Sequence, residues 1–148
     1  MDRATDQGVY ERYETYELYA AYYRNVREAA LSGRFEVIGH PDLIKIFRHY
    51  PDRDITPLLE ETADAVAESG VVVDVNAAGL RKPVGEIYPS RKFLEMFHRR
   101  GVPIILSSDA HAPDEVAAGY DRSLKLVHDV GYREVATFEN HEQGSLPL

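Results

Sequence analysis

Apolar runs of β-strand length alternate with amphipathic stretches along the 148-residue chain. Four runs are short and rich in β-branched or alternating apolar residues, and they lie at 35–39, 71–76, 103–108 and 133–138. Four longer stretches carry apolar residues at helical spacing, and they lie at 9–31, 56–69, 90–100 and 114–130. The pattern therefore predicts eight elements in the order α-β-α-β-α-β-α-β.

Helix ends are predicted from the residues that flank the apolar spacing. Thr56 can cap the second helix, Pro57 suits its first position and Gly70 suits its end. Ser90 opens the third helix, and Gly101 ends it. The fourth helix is expected to bury one face, formed by Val116, Tyr120, Leu124 and Val127.

The first helix, residues 9–31, contains neither Gly nor Pro and is predicted to be continuous. Tyrosine recurs in it at every third residue, at Tyr10, Tyr13, Tyr16, Tyr19 and Tyr22. Such a row suits either a stacking site or a tyrosine-rich core face, and we favour the core face because aromatic side chains bury large areas.

Strands that alternate with helices indicate parallel pairing through right-handed crossovers, and so an α/β fold. In such sheets, functional residues collect where the strands end. Three strands end in polar residues, at His40, at Asn76 and at the cluster Ser108-Asp109-His111. The sequence therefore predicts one site at this edge of the sheet.

Composition and charge narrow the functional classes. An apolar fraction of 44% and a charged fraction of 28% suit one globular domain over residues 1–148. A formal net charge of −8 argues against nucleic acid as a partner, because phosphate-backbone binders carry basic surfaces. The N-terminus lacks an apolar leader, and no apolar run approaches 18 residues, so we expect a cytoplasmic protein without membrane contact.

Any metal site must use His, Asp or Glu, because the chain has no cysteine. Asp109 and His111 are two residues apart and would point the same way on extended backbone. His40 ends another strand, so all three could bind a divalent metal that acidifies water or polarises a phosphoryl oxygen. From spacing alone, an Asp-x-His pair is more often a helix cap with a surface histidine. The presence of His40 at a second strand end makes the metal site an equal alternative, and both interpretations stay open.

The loop NAAGLRKP at residues 76–83 places two cations beside this edge. Gly79 permits a tight backbone, and Arg81 suits bidentate contact with phosphate. Arg81 and Lys82 could also be an ordinary solvated pair, and the neighbouring polar cluster favours phosphate contact for Arg81. The remaining histidines are predicted to be surface residues: His49, His98, His128 and His141.

Three segments resemble the histidinol-phosphatases of the PHP (polymerase and histidinol phosphatase) family. They are FEVIGHPDLIKIF at 35–47, VDVNAAGLRKPVGEIYPS at 73–90 and SSDAHAPDEVAAGYDRSLKL at 107–126. The resemblance implies a (β/α) barrel with several metal ions, which hydrolyses L-histidinol phosphate in histidine biosynthesis. About four β/α units with parallel strands would be present here, forming the C-terminal part of that domain.

The resemblance also implies roles for individual residues. His40, Asp109 and His111 would bind divalent metal ions, Zn, Mn or Fe, and Asp109 and His111 would be catalytic. Arg81 would contact the phosphate of the substrate, a small phosphorylated molecule. We also expect Asn76 to bind the substrate, because it ends the second strand at the same edge.

The family's N-terminal His-x-His motif is missing, and no histidine precedes His40. Four strands cannot close a barrel, so we expect uncovered edges and either self-association or a partner that supplies the N-terminal half. Two alternatives therefore stay open beside histidinol-phosphatase activity. The chain could be a PHP-type hydrolase of another phosphoester, or a non-catalytic half-barrel.

Overall fold

The computed structural model of the protein describes residues 8–148, and residues 1–7 lie outside it. The described helices are α1 (Gly8–Arg12), α2 (Thr15–Leu31), α3 (Thr56–Ser69), α4 (Arg91–Arg99) and α5 (Tyr120–Val130). The described strands are β1 (Val37–Ile38), β2 (Val72–Asn76), β3 (Ile104–Ser107), β4 (Glu134–Glu139) and β5 (Glu142–Pro147). Short 3₁₀ helices follow the first three strands, at Leu43–Phe47, Ala77–Arg81 and Pro113–Glu115.

The predicted parallel α/β architecture is confirmed for three strands. They form one sheet in the order β1-β2-β3, and both neighbouring pairs are parallel. Val37 pairs with Val72, and Asn76 pairs with Ser107. The central strand β2 is buried along its whole length, including its two polar residues, Asp74 and Asn76. The three carboxyl ends therefore lie along one edge of the sheet.

The fourth predicted strand forms, but its predicted parallel pairing is wrong. β4 pairs antiparallel with β5, which the apolar pattern did not reveal because its residues are polar and exposed. Asn140 and His141, with φ of 50° and 65°, form the turn between them. Two left-handed residues are the geometry of a tight hairpin, so the chain turns back after β4 and pairs with it as β5. A barrel of four parallel units is therefore not confirmed.

The first predicted helix is divided in two. Glu14 has extended backbone and its carboxylate accepts a hydrogen bond from the backbone N–H of Glu17, so α2 begins anew at Thr15. The tyrosine row is only partly in the core, since Tyr19 is buried and Tyr13 is 61% exposed. The row winds around the helix because a spacing of three falls short of the 3.6-residue period.

The helix predicted over 114–130 begins later, at Tyr120. Gly119 adopts a φ of 82° and separates it from the 3₁₀ helix at Pro113–Glu115. Val127 is buried as predicted, but Val116 lies before the helix and is 69% exposed. Leu124, also predicted to be buried, is 38% exposed.

The core lies between the sheet and helices α2, α3 and α4. Tyr23 of α2 meets Phe93 of α4 edge-on at 5.8 Å between ring centroids, and Phe93 packs on Phe97 at 4.3 Å. These side chains are buried and fix the helices against the strands. The predicted helix ends at Ser90 and Gly70 are confirmed.

Candidate functional site

Two predicted ligands occupy unusual backbone at the carboxyl edge of the sheet. His40 follows β1 with a φ of 31°, and Asp109 follows β3 with a φ of 47°. Left-handed backbone is costly for residues with a side chain and is often found at functional sites. Both positions therefore carry local strain where the sequence predicted chemistry.

Asp109 and His111 lie together as predicted. The His111 Nδ1 atom is 2.9 Å from the Asp109 carbonyl oxygen and 3.7 Å from its carboxylate Oδ1. An Nδ1–H that donates to the carbonyl leaves the Nε2 lone pair of His111 free, which is the arrangement of metal-binding histidines. The imidazole is 72% exposed and the Asp109 carboxylate 34% exposed, so both are accessible. The pair thus offers one nitrogen and one carboxylate donor of the types that suit Zn, Mn or Fe.

Arg81 and Glu115 bind the backbone of the turn that carries Asp109 and His111. Nη2 of Arg81 donates to the carbonyl oxygens of Ser108 at 2.8 Å and Asp109 at 3.2 Å. Nε of Arg81 lies 3.3 Å from Oε1 of Glu115, and Oε2 of Glu115 accepts from the backbone N–H of His111 at 2.8 Å. The His111 N–H and the Arg81 charge lower the pKa of Glu115. Arg81 therefore joins the loop after β2 to the loop after β3.

One nitrogen of the Arg81 guanidinium remains unused. Nη1 is buried and has no hydrogen-bond partner among the described residues. A guanidinium can bind an oxyanion through a free nitrogen even while its other nitrogens bind protein oxygens. Because Nη1 is closed to solvent in this conformation, a phosphate could reach it only after a local rearrangement, and the phosphate contact predicted for Arg81 stays a prediction.

Asn76, which was predicted to bind the substrate, is 1% exposed at the end of β2, and its substrate contact stays a prediction. Its Oδ1 accepts from the backbone N–H of Ala78 at 2.9 Å, and its Nδ2 donates to Asp74 Oδ2 at 2.9 Å. Both ends of the amide are therefore occupied, and in this geometry Asn76 caps the 3₁₀ helix at Ala77–Arg81.

A buried ion pair fixes the turn that carries His40. Asp42 Oδ2 accepts from Lys45 Nζ at 2.9 Å and from the backbone N–H of Ser90 at 2.8 Å. Lys45 also lies 3.0 Å from Glu86 Oε1. Burial raises the pKa of Asp42 despite this partner. The His40 turn is thereby tied to the Glu86–Ser90 segment, which pairs with the end of β2 through Asn76 and Tyr88.

The predicted convergence of three ligands is not found. Within residues 8–148, no group of three His, Asp or Glu side chains is arranged to hold a metal ion. The physical reason is the strand order, since β2 separates β1 from β3 and two strand spacings amount to roughly 10 Å. Asp109 and His111 fit two donors of a divalent site, and His40 stands apart from them. Metal binding by the three residues stays a prediction.

Glu115 and the Asp42–Lys45 pair are site residues that sequence reasoning missed. Glu115 follows His111 by four residues, a spacing that could have indicated a local contact. Asp42–Lys45 is an i, i+3 pair of opposite charge, but nothing in the sequence shows that it is buried. Of the predicted surface histidines, His49, His128 and His141 are exposed, whereas His98 is half-buried and packs on Tyr132 at 4.8 Å.

Known proteins with similar sequences carry the name of the family that the three sequence segments resemble. The chain is 41% identical over 133 residues to a protein of Deinococcus radiodurans named a probable histidinol-phosphatase, covering 90% of this chain and 50% of that protein. It is 28% identical over 117 residues to the histidinol-phosphatase of Bacillus subtilis, covering 73% of this chain and 44% of the relative. The corresponding yeast enzyme, from Saccharomyces cerevisiae, is 26% identical over 137 residues and is covered to 41%.

The resemblance to histidinol-phosphatases is confirmed. The chain spans about half the length of the curated relatives it matches. No protein-family model matches it.

The fold has a solved counterpart. A crystal structure from Listeria monocytogenes, of a protein assigned as a histidinol phosphatase (hisK), superposes with a TM-score of 0.65 at 22% identity. The match covers 73% of this chain and 44% of that one. At this identity the superposition shows the fold alone. Among the described residues, no helix has the length and apolar character needed to cross a membrane.

Proposed function

We propose that the chain carries one part of a metal-dependent phosphomonoesterase site, which hydrolyses L-histidinol phosphate to L-histidinol and phosphate. The observation that carries this proposal is the Asp109–His111 pair at the end of β3, in a chain 41% identical to a probable histidinol-phosphatase. The proposed setting is histidine biosynthesis in the cytoplasm, with a PHP-type domain as the complete unit.

The chain's own residues divide the chemistry between them. Asp109 and His111 would bind a divalent metal, Zn, Mn or Fe, with His40 contributing from the end of β1. When bound, such an ion supplies Lewis acidity that stabilises phosphoryl charge and makes water more acidic. Arg81 would orient the phosphate through Nη1 once a local rearrangement opens this buried atom, and its remaining nitrogens keep it fixed to the β3 loop.

We further propose that polypeptide outside this sequence covers the outer edge of β1. That edge has no strand partner among the described residues. A groove of about 390 Å³ beside it is lined mainly by apolar side chains, including Val26, Phe35 and Val37, and it reaches Gly39 next to His40. Phe35 is 53% exposed there. A strand that paired with β1 would end beside His40 and could deliver further ligands to it.

A non-catalytic half-barrel is the second candidate function. It is favoured by the strand order, which keeps His40 apart from Asp109 and His111 within the described part of the chain. The two candidates differ in whether the β3 pair binds metal.

Calorimetric titration with Mn²⁺ tests the site assignment. We expect the wild-type chain to bind the ion, and Asp109→Ala and His111→Ala to lose measurable binding because each removes one of two adjacent donors. His40→Ala should weaken binding less, since His40 follows β1, two strand spacings away from the pair that follows β3. His128→Ala is the matched control, because His128 is an exposed histidine outside the site. Unchanged binding in all three site variants would contradict the assignment.

A further inference from the structure

Glu115 lies at the centre of the contacts that shape the β3 loop. Its Oε1 faces Nε of Arg81, and its Oε2 accepts from both Nη2 of Arg81, at 3.3 Å, and the backbone N–H of His111, at 2.8 Å. The side chain is 30% exposed, so it reaches this position from the surface turn at Pro113–Glu115. One carboxylate therefore joins the cation from the β2 loop to the backbone of a predicted metal ligand.

Hydrogen bonds form a closed ring around the Asp109–His111 turn. Arg81 binds the carbonyls of Ser108 and Asp109, Glu115 binds Arg81, and Glu115 also binds the amide of His111. The imidazole of His111 then bonds back to the Asp109 carbonyl. Charge-assisted hydrogen bonds are shorter and stronger than neutral ones, so the carboxylate holds both ends of this turn.

Loss of the Glu115 carboxylate would affect Arg81 and the His111 amide together. The His111 N–H would lose its acceptor, and Arg81 would lose its counter-charge and its orientation. Asp109 has a left-handed φ of 47°, which such a turn keeps only while its surroundings hold it. Residues that fix metal ligands without touching the metal commonly change metal affinity when they are replaced.

We propose that Glu115 is a positioning residue, which fixes the Arg81 guanidinium and the His111 backbone so that Asp109 and His111 present their donors to one metal ion. The proposal rests on the proposed function of the Asp109–His111 pair. It assigns no contact between Glu115 and the metal or the substrate.

The test compares Glu115→Ala, Glu115→Gln and the control Asp114→Ala in the full chain. Asp114 is the neighbouring exposed carboxylate of the same 3₁₀ helix. We expect Glu115→Ala to weaken Mn²⁺ binding about 10–100-fold, the range typical of residues that support metal ligands. Glu115→Gln keeps an acceptor oxygen and should restore part of the affinity, whereas Asp114→Ala should bind like wild type.

Hydrogen exchange at the His111 amide supplies a readout that does not depend on metal. In metal-free protein, we expect exchange at this amide to be faster in Glu115→Ala than in wild type and unchanged in Asp114→Ala. Circular dichroism of each variant checks that it is folded, and Glu115→Gln carries the comparison if Glu115→Ala is not.

Two results are distinguished by this design. Wild-type Mn²⁺ affinity in both Glu115 variants would overturn the positioning role and leave the proposed function intact. A wild-type chain that binds no Mn²⁺ would overturn the proposed function, and His111 exchange would still decide whether Glu115 holds the turn.

Discussion

Gly79 lies where the 3₁₀ helix after β2 passes against the Glu86–Tyr88 segment. A Cβ at this position would overlap the carbonyl oxygen of Glu86 and approach the Tyr88 ring to 2.9 Å. Because the backbone of Glu86 cannot yield as a side-chain tip can, we expect Gly79→Ala to lower the free energy of unfolding by about 1–3 kcal/mol. Urea unfolding followed by circular dichroism measures this change.

Gly39→Ala is the matched control for that substitution. A Cβ at Gly39 meets nothing within 4 Å, and the residue precedes His40 at the same edge of the sheet. The urea unfolding midpoint of Gly39→Ala should stay near that of wild type. Equal midpoints for the two variants would contradict the close approach at Gly79.

Single residues at strand ends could be predicted, but their partners could not. His40, Asp109 and Arg81 follow apolar runs in the sequence, so their place at the edge follows from topology. The contact of Arg81 with Glu115 joins residues 34 apart, and that of Asp42 with Ser90 joins residues 48 apart. Such pairs depend on how two loops meet in space, which spacing along the chain does not show.

Thr56 does not cap helix α3 as predicted, because the N-cap position is Ile55, which makes no side-chain hydrogen bond. The preceding Asp54 takes over this role: its carboxylate accepts from the Thr56 backbone N–H at 2.9 Å and from the Thr56 hydroxyl at 2.6 Å. We expect Asp54→Ala to lower the urea unfolding midpoint at pH 7, because it removes the acceptor for the Thr56 N–H. Asp52→Ala is the control and should leave the midpoint unchanged, because Asp52 is exposed and makes no side-chain hydrogen bond among the described residues.

The same cap predicts a dependence on pH. The hydrogen bonds from Thr56 lower the pKa of Asp54 below its ordinary value of 3.8. A carboxyl group whose pKa is lower in the folded than in the unfolded state stabilises the fold at any pH above its unfolded-state pKa. This stabilisation is lost as the pH falls through the folded-state pKa. The difference between wild type and Asp54→Ala should therefore shrink below about pH 4. A difference that grows on acidification would contradict this cap.

Helices and strands could be predicted where burial imposes an apolar pattern on the sequence. Strand pairing could not be predicted where it depends on the geometry of a turn. The runs at 71–76 and 103–108 became β2 and β3 nearly as predicted, because buried parallel strands are continuously apolar. β5 escaped prediction since its six residues are exposed and show no apolar alternation. The turn at Asn140 and His141 decides the pairing of β4, and neither residue is the glycine that usually marks such a turn.

Within residues 8–148, the three-stranded sheet is only partly enclosed. Helices α2, α3 and α4 cover the core, while β1 presents an unpaired edge within residues 8–148 and an apolar groove beside it. An exposed strand edge next to exposed Phe35 favours association with another strand. Because the chain spans about half of each relative, we propose that any further metal ligands come from polypeptide outside this sequence.

Phosphate release from L-histidinol phosphate tests the central claim most directly. It should be measured with Mn²⁺ for this chain alone, and for the chain mixed with the half of the Deinococcus radiodurans relative outside the matched region. We expect release only from the mixture, and its loss in Asp109→Ala, with sedimentation showing that the two halves associate. Release by the chain alone would contradict the divided site, and an associated but inactive mixture would contradict the proposed phosphatase function.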